Sequence, residues 1–349
     1  MSLLERLRAE IAQTGPLTVA EYMHRCLHDP QDGYYATRPA LGADGDFITA
    51  PLVSQMFGEL IGLWAVEMWQ RLGSPERVLL VEVGPGDATL MSDMLRTARL
   101  APGLLEAAEV WLLETSEPLR ARQRERLGDF HWASDLSELP TGAPVILIAN
   151  ELLDCFPANQ FVRTSEGWAE RLVGLSDDGL QFGLRPVTMP DTPNAPVGIV
   201  YERSPAQEAF GSVVGELIAR EGGAALLIDY GRSDPGFGDT LQALKRHEKV
   251  DPLACPGEAD LTVHADFPAV LAAARTAAAQ AAMLTQGKFL RRLGIEHRAA
   301  ALAAAHPDRA ETLRRQLDRL IAPDQMGELF KAACVFTPGL TPPGFEEVS

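Results

Sequence analysis

The sequence has few cysteines, and they are widely separated. The four cysteines lie 129, 100 and 79 residues apart and form no Cys-x-x-Cys pair. This spacing excludes a zinc ribbon, offers no disulfide framework and is typical of proteins in a reducing compartment. His24 and His28 lie one helical turn apart, but no third ligand accompanies them in the sequence. We therefore predict no metal site.

Long apolar runs are also missing. The richest stretch, residues 60–66, ends at Glu67 and is far shorter than the roughly 18 apolar residues of a membrane span. The first residues, MSLLERLRAEIAQ, form an amphipathic helical pattern with acids at Glu5 and Glu10. This pattern predicts neither a signal peptide nor a transit peptide, so we expect a bacterial cytoplasmic protein.

Basic residues are too few to balance the acidic ones. Lys and Arg number 31 against 48 Asp and Glu, which gives a net charge of −17. This charge argues against nucleic acid as a partner and is compatible with a basic partner. The length of 349 residues, with 46% hydrophobic and 23% charged residues, excludes a largely disordered chain.

Short apolar runs alternate with helical segments from residue 78 onward. This alternation predicts an α/β fold with a mainly parallel sheet. The predicted strands are VLLVEVG (78–84), VWLLET (110–115), HWAS (131–134), PVILIAN (144–150), AALLIDY (224–230), AAMLTQ (281–286) and FKAACVF (330–336).

Other segments depart from this alternation. Residues 1–75 are predicted to be mostly helical, with Thr18 and Glu21 forming a capping box. Residues 159–205 carry Gly and Asp-Asp-Gly turns and predict an inserted antiparallel ribbon. Residues 231–260 are predicted to be a long loop, and residues 298–320 are predicted to be helical.

A glycine-rich turn follows the first predicted strand. Glu82, Gly84, Pro85 and Gly86 give Glu-x-Gly-Pro-Gly where a strand opens into a helix. Glycines let a backbone approach a ligand, and a helix N-terminus attracts negative charge. The dinucleotide fingerprint needs a third glycine where Thr89 stands. The turn therefore favours S-adenosylmethionine, which needs only the first two glycines, and Glu82 suits its amino-acid portion.

Two further acids follow the next strands. Glu114 lies 28 residues beyond Gly86 and is a candidate for the ribose hydroxyls. Asp135 and Leu136 follow the third strand and are candidates for the adenine amino group. For Glu114 the alternative is an exposed acid that caps a helix N-terminus.

Asn150, Glu151 and Asp154 follow the buried strand 144–150 directly. Because ligands in open α/β sheets bind at the carboxyl ends of strands, we expect these residues in the cleft. Glu151 and Asp154, three residues apart on a helical turn, would hold a guanidinium in a bidentate fork and localise its charge. The alternative is an ordinary acid pair at a helix N-terminus. Asp229 and His264 are further candidates whose role the pattern leaves open.

The sequence resembles the MidA-type S-adenosylmethionine methyltransferases, whose mitochondrial members are the complex I assembly-factor arginine methyltransferases. The resemblance covers most of the chain and depends on several motifs in order. They are YMHRCLHDPQDGYY (22–35), GDFITAPLVSQMFGELIGLW (45–64), VEVGPGDATLMSDML (81–95), IANELLDCFPANQF (148–161), LLIDYG (226–231), PGEADLTVHADF (256–267), QGKFLRRLGI (286–295) and MGELFKA (326–332).

The resemblance implies a Rossmann-like seven-stranded class I methyltransferase sheet with N-terminal helices, an inserted antiparallel ribbon and a C-terminal helical cap. It implies a helical extension at 1–75 that covers the cofactor site, a core at 76–349, an insertion at 159–205 and a cap at 287–325. It also implies cofactor contacts at Glu82, Gly84, Gly86 and Glu114. Asp46, Thr49 and Pro51 would lie near the cofactor or substrate entrance.

We therefore expect a protein arginine methyltransferase whose substrate is a protein with an accessible arginine, such as a subunit of a respiratory NADH dehydrogenase. The alternatives are a methyltransferase for a small molecule and an assembly chaperone that has lost turnover. A nicotinamide dehydrogenase is disfavoured by Thr89. The oligomeric state stays open.

Overall fold

The structure is a computed structural model, and it describes residues 1–37, 49–177, 179–189 and 194–346. Contacts divide the chain into two compact units, each assembled from three segments. Unit 1 comprises Met1–Phe47, Leu153–Glu208 and Asp234–Asp266. Unit 2 comprises Ile48–Leu152, Ala209–Ser233 and Phe267–Ser349. The predicted linear division at residue 75 stays a prediction.

The helices are α1 (Leu3–Thr14), α2 (Val19–His28), α3 (Tyr34–Thr37), α4 (Ala50–Val53), α5 (Gln55–Arg71), α6 (Thr89–Ala98), α7 (Pro102–Ala107), α8 (Glu117–Leu127), α9 (Pro205–Glu221), α10 (Phe267–Thr276), α11 (Gln286–Arg292), α12 (Ile295–Ala305) and α13 (Ala310–Ile321). Short helical turns lie at Leu136–Glu138, Leu153–Cys155, Pro307–Arg309 and Pro323–Gly327.

The strands are β1 (Leu17–Thr18), β2 (Val78–Val83), β3 (Ala108–Leu113), β4 (His131–Ala133), β5 (Val145–Asn150), β6 (Asn159–Thr164), β7 (Gly167–Leu175), β8 (Leu180–Val187), β9 (Val200–Arg203), β10 (Gly223–Arg232), β11 (Gln242–Lys245), β12 (Glu248–Val250), β13 (Asp260–Thr262), β14 (Ala265–Asp266), β15 (Gln280–Thr285) and β16 (Phe330–Phe336).

Unit 2 is built on a mixed sheet with the strand order β15-β16-β10-β5-β2-β3-β4. The strands from β10 to β4 are parallel to their neighbours, whereas β16 is antiparallel to both β10 and β15. The strand order reverses between β2 and β5, which are neighbours although β3 and β4 lie between them in the chain. The predicted α/β class and the mainly parallel sheet are therefore confirmed.

Helix α5 packs closely against α6, the helix that follows the loop after β2. Two glycines of α5 allow the contact, because a Cβ on Gly58 would lie 2.5 Å from the Cβ of Asp93. A Cβ on Gly62 would lie 2.9 Å from the Cα of Met94. Helix α5 belongs to unit 2, together with the described residues of 48–75.

Unit 1 contains two antiparallel sheets and the N-terminal helices. One sheet has the order β1-β7-β6-β9, with β8 paired to β7, and it confirms the ribbon predicted within 159–205. Apolar residues of α1 and α2, including Leu7, Tyr22 and Met23, form a buried core with residues of the two sheets. The predicted capping box is also present, since Glu21 N–H donates to Thr18 Oγ1 at 3.1 Å.

Three predictions of local structure are wrong. The segment 231–260 is not a plain loop, because it contains β11 and β12 and leads into β13 of the second sheet in unit 1. No helical turn begins at Glu151, which has a φ of 52°; the short turn Leu153–Cys155 follows instead. The predicted helix 298–320 is two helices, α12 and α13, with Pro307 between them.

No helix in the described parts of the chain is both long enough and apolar enough to cross a membrane.

Candidate functional site

Several of the predicted cofactor and catalytic residues lie at the carboxyl ends of neighbouring strands in unit 2. The loop after β2 carries Gly84 and Gly86, and Asn150 ends β5. In the parallel pair β2–β5, Glu82 is opposite Ile148. The two strands flank the point at which the strand order reverses, and open α/β sheets bind their ligands at such a point.

The loop between β2 and α6 adopts backbone conformations that favour glycine. Gly84 and Gly86 have φ angles of 66° and 56°, and Ala88, directly before α6, has a φ of 60°. A Cβ on Gly84 would lie 2.9 Å from Leu152 Cδ1. A larger residue at position 84 would therefore be strained and would also crowd the loop after β5.

Glu82 is a buried acid directly before this loop. Its side chain is 3% exposed, and Oε2 has no hydrogen-bond partner among the described residues. Burial, together with the smaller effect of the nearby Asp87 charge, raises the pKa of the Glu82 carboxyl to about 8. An unpaired buried carboxylate oxygen is costly unless a ligand supplies a donor, so the site fits a ligand with a cationic amino group.

Glu114 follows β3 and is also buried. Its Oε1 accepts a hydrogen bond from Ser116 N–H at 2.8 Å, and its Oε2 lies 3.3 Å from Gln123 Nε2. Burial raises the pKa of this carboxyl, and the hydrogen bond from Ser116 opposes the shift. Two donors thus fix the orientation of the acid that is predicted to bind the ribose hydroxyls.

Helix α8 supplies two residues that the sequence analysis missed. Gln123 is fully buried and donates to Gly86 O at 2.8 Å. Arg126 donates to Asp87 Oδ2 at 2.9 Å and to Thr89 Oγ1 at 2.6 Å. The sequence signal that could have found them is their spacing of three residues on a charged helix, because this spacing places both side chains on one side of α8.

Asp135 and Leu136 occupy the short turn after β4. Asp135 caps this turn, because its Oδ1 accepts from Ser137 N–H at 2.8 Å. Hydrogen bonds from the side chain and then the backbone of Ser137 lower the pKa of the Asp135 carboxyl. Leu136 is buried at 7% exposure. Their contact with adenine stays a prediction.

At the end of β5, Asn150 and Glu151 lie beside the first residue of α4. Glu151 Oε1 accepts from Ala50 N–H at 2.9 Å and from Asn150 Nδ2 at 3.2 Å. Asn150 Oδ1 is buried without a partner among the described residues. Thr49 is the N-cap of α4, but its side chain makes no capping bond. Asp46 lies outside the described residues.

Asp154 belongs to unit 1, where three motifs of the sequence meet. Cys155 Sγ lies 3.2 Å from Asp154 Oδ1 and 2.7 Å from the phenol oxygen of Tyr35. That phenol also donates to Asp260 Oδ1 at 3.1 Å. Burial raises the pKa of both Tyr35 and Cys155. The predicted pairing of Asp154 with Glu151 stays a prediction.

Two other candidates have local backbone contacts. Asp229 on β10 is fully buried, and its Oδ1 accepts from Tyr230 N–H at 2.8 Å. The backbone N–H of His264 donates to Thr240 Oγ1 at 2.9 Å. Neither contact assigns a catalytic role to these side chains.

Comparison with known proteins identifies the family. Residues 60–285 match a family described as S-adenosyl-L-methionine-dependent methyltransferases. The chain is 35% identical to the mitochondrial protein arginine methyltransferase NDUFAF7 homolog of Drosophila melanogaster, over 97% of this chain and 85% of that protein. It is 34% identical to the human mitochondrial protein arginine methyltransferase NDUFAF7, over 94% of this chain and 82% of that protein.

A solved structure shows the same similarity. A crystal structure of a protein from Burkholderia thailandensis, bound to S-adenosylhomocysteine, superposes with a TM-score of 0.84 at 29% identity. The match covers 99% of this chain and 93% of that chain. The sheet, the glycine loop, the family match and these relatives agree, and this chain belongs to the S-adenosyl-L-methionine-dependent methyltransferases.

Proposed function

We propose that this chain is a protein arginine N-methyltransferase. The observation that carries the proposal is its similarity, over nearly its whole length, to relatives that are named protein arginine methyltransferases. The side chains at the end of β5 also support the proposal. The carboxylate of Glu151 and the buried amide oxygen of Asn150 are both suited to bind the positively charged guanidinium that receives the methyl group.

The loop residues of unit 2 are proposed to hold the cofactor. S-adenosylmethionine, when bound, supplies the methyl group as an electrophile on a positively charged sulfur. Glu82 Oε2 would accept a hydrogen bond from its amino group, and Glu114 would accept from its ribose hydroxyls. Pro85 and the two glycines would give the backbone close access. The remaining proposed contacts are Thr49, Asp135 and Leu136.

Asn150 and Glu151, at the end of β5, are proposed to bind the guanidinium of the substrate arginine and to orient its nitrogen toward the methyl group. An arginine side chain arrives protonated, because its pKa exceeds about 12. A carboxylate at Glu151 would localise that charge away from the reacting nitrogen, and Asn150 Oδ1 would accept one of its N–H groups. Asp154 is proposed as the second carboxylate on the strength of its position in the sequence. Transfer would form the nitrogen–methyl bond and break the sulfur–methyl bond, and the methylated guanidinium would release one proton to solvent.

The proposed substrate is a protein subunit of a respiratory NADH dehydrogenase, and the proposed location is the bacterial cytoplasm. The net charge of −17 supports a basic protein segment over a polyanion.

Mass spectrometry of a strain that lacks this chain tests the proposal. We expect one methylated arginine on an NADH dehydrogenase subunit to disappear in the deletion strain and to return with the wild-type chain. A plasmid carrying Gly84→Val should fail to restore it. An arginine methylation pattern that is unchanged by the deletion would reject the proposed function.

A further inference from the structure

Helix α8 contacts all three loops that follow β2, β3 and β4. Arg120 Nε donates to Glu114 O at 2.7 Å, and its Nη2 donates to Ser134 Oγ at 2.9 Å. Gln123 contacts Gly86 and Glu114, and Arg126 contacts Asp87 in the loop after β2 and Thr89 at the start of α6. The three side chains lie three residues apart, so one stripe of α8 faces the loops.

Gln123 differs from the two arginines because it is fully buried. The orientation of its amide is fixed by its partners. Trp132 Nε1 can only donate, and it lies 2.8 Å from Gln123 Oε1. Gly86 O can only accept, and it lies 2.8 Å from Gln123 Nε2. The second hydrogen of Nε2 is then directed to Glu114 Oε2 at 3.3 Å.

This arrangement uses both donor hydrogens and the acceptor of Gln123 inside the protein. The amide therefore acts through its neighbours. It holds the carbonyl of Gly86, a residue with a φ of 56°, and at the same time it orients the Glu114 carboxylate. A single side chain links the glycine loop to the acid that is predicted to bind the ribose.

We propose that Gln123 is a positioning residue that sets the glycine loop and Glu114 in their cofactor-binding arrangement before the cofactor binds. The inference rests on the proposed contact between Glu114 and the cofactor, and it is independent of arginine as the substrate. Preorganisation of this kind increases affinity because fewer groups must be ordered on binding.

The first test replaces Gln123 by Met, which keeps the length and removes both donors. Titration calorimetry with S-adenosylhomocysteine should show a Kd that is raised by at least about tenfold, because two buried acceptors lose their donor. Gln286→Met is the matched control. Gln286 is also fully buried in unit 2, and it donates to Leu320 O at 3.0 Å. Equal Kd values for the two variants would overturn the proposal.

The second test distinguishes positioning from mere stability. In Gln123→Glu, a protonated carboxyl can still donate one hydrogen bond, whereas its ionised form places a second negative charge beside Glu114. Charged side chains that make hydrogen bonds in the same loops are Asp87, Glu114, Arg120, Arg126, Asp135 and Glu138. The ratio of the Kd of Gln123→Glu to that of the wild type should therefore fall as the pH is lowered from about 8.5 to about 6.

The same ratio for Gln123→Met should change less with pH, because that variant introduces no second acid beside Glu114. A ratio for Gln123→Glu that changes with pH no more than the ratio for Gln123→Met would overturn the positioning role. Glu114→Gln distinguishes the proposed ribose contact of Glu114 from the positioning role of Gln123. Normal binding in that variant would overturn the proposed ribose contact itself. Weakened binding there, combined with normal binding in Gln123→Met, would overturn only the role of Gln123.

Discussion

At the residue scale, the cofactor loop depends on a few positions with unusual backbone or burial. The sequence predicted Gly84, Gly86 and Glu82 correctly as features of one turn, because glycine spacing is visible in a sequence. It gave no sign of Ala88, since an alanine with a φ of 60° has no distinctive neighbour pattern. It also could not reveal the burial of Glu82, which depends on residues distant in the chain.

The first prediction concerns Gly84. Gly84→Val should abolish the thermal stabilisation that S-adenosylhomocysteine gives the protein, because a branched side chain there is strained and crowds Leu152. We expect the affinity to fall by roughly a hundredfold or more, as for a strained backbone in a ligand loop. A thermal shift assay measures this effect.

Gly128→Val is the control for Gly84. Gly128 also has a positive φ, at 85°, but a Cβ there would meet no atom within 4 Å. This variant should lose stability and still be stabilised by S-adenosylhomocysteine. If both valine variants retain the stabilisation, Gly84 does not line the cofactor site.

The second prediction concerns the pKa of about 8 for Glu82. Ionised Glu82 attracts the amino group of the ligand, so affinity for S-adenosylhomocysteine should rise several-fold from about pH 7 to about pH 8.5. Glu82→Gln should bind more weakly and show a flatter profile. A wild-type profile as flat as that of Glu82→Gln would contradict this role.

The raised pKa of Glu82 also makes the stability of the ligand-free protein depend on pH. Its folded pKa lies above its ordinary value of 4.5, so the folded state binds this proton more tightly than the unfolded chain does. The stability contributed by protonated Glu82 is therefore complete below pH 4.5 and is lost progressively as the pH rises to about 8. The Tm of Glu82→Gln should rise relative to the wild type between pH 6 and about pH 9 in calorimetric scans.

At the element scale, the sequence predicted the strands better than their connections. Continuous apolar runs such as those of β5 and β10 are strong signals. The strands β11 and β12 were missed because they are short and because their hairpin turn uses Arg246 and His247. Both residues have positive φ angles, at 53° and 64°, where Asn or Gly is the usual signal.

The third prediction separates two roles of Glu151 at the end of β5. Glu151→Gln keeps an oxygen that can accept from Ala50 N–H, so α4 and cofactor binding should be retained. The charge is lost, and kcat for methyl transfer should fall by roughly a hundredfold. A labelled-methyl assay measures the rate, and an unchanged kcat would remove Glu151 from the catalytic account.

Glu151→Ala is the variant with which the stability of Glu151→Gln is compared. It removes the contacts with both Ala50 and Asn150, so it should also destabilise the protein by roughly 1 to 3 kcal/mol. Chemical denaturation measures the difference between the two variants. Equal stability of the two variants would show that the carboxylate does not anchor α4.

At the scale of the whole molecule, the sequence predicted one methyltransferase core with added segments, and the structure shows two units that each use three segments. This interleaving depends on contacts between residues far apart in the chain, which one sequence does not reveal. The order of helices and strands was largely predictable, because each element has a local pattern. The contact of Glu114 with Gln123 and that of Cys155 with Tyr35 were not, because each joins residues of different elements.

We expect unit 2 to bind the family's cofactor through the loops after β2, β3 and β5. Titration calorimetry of the wild-type chain with S-adenosylhomocysteine measures this binding. It should give a saturable heat with one ligand per chain, and Gly84→Val should abolish that heat. A flat titration of the folded wild-type protein would show that these loops do not form a cofactor site.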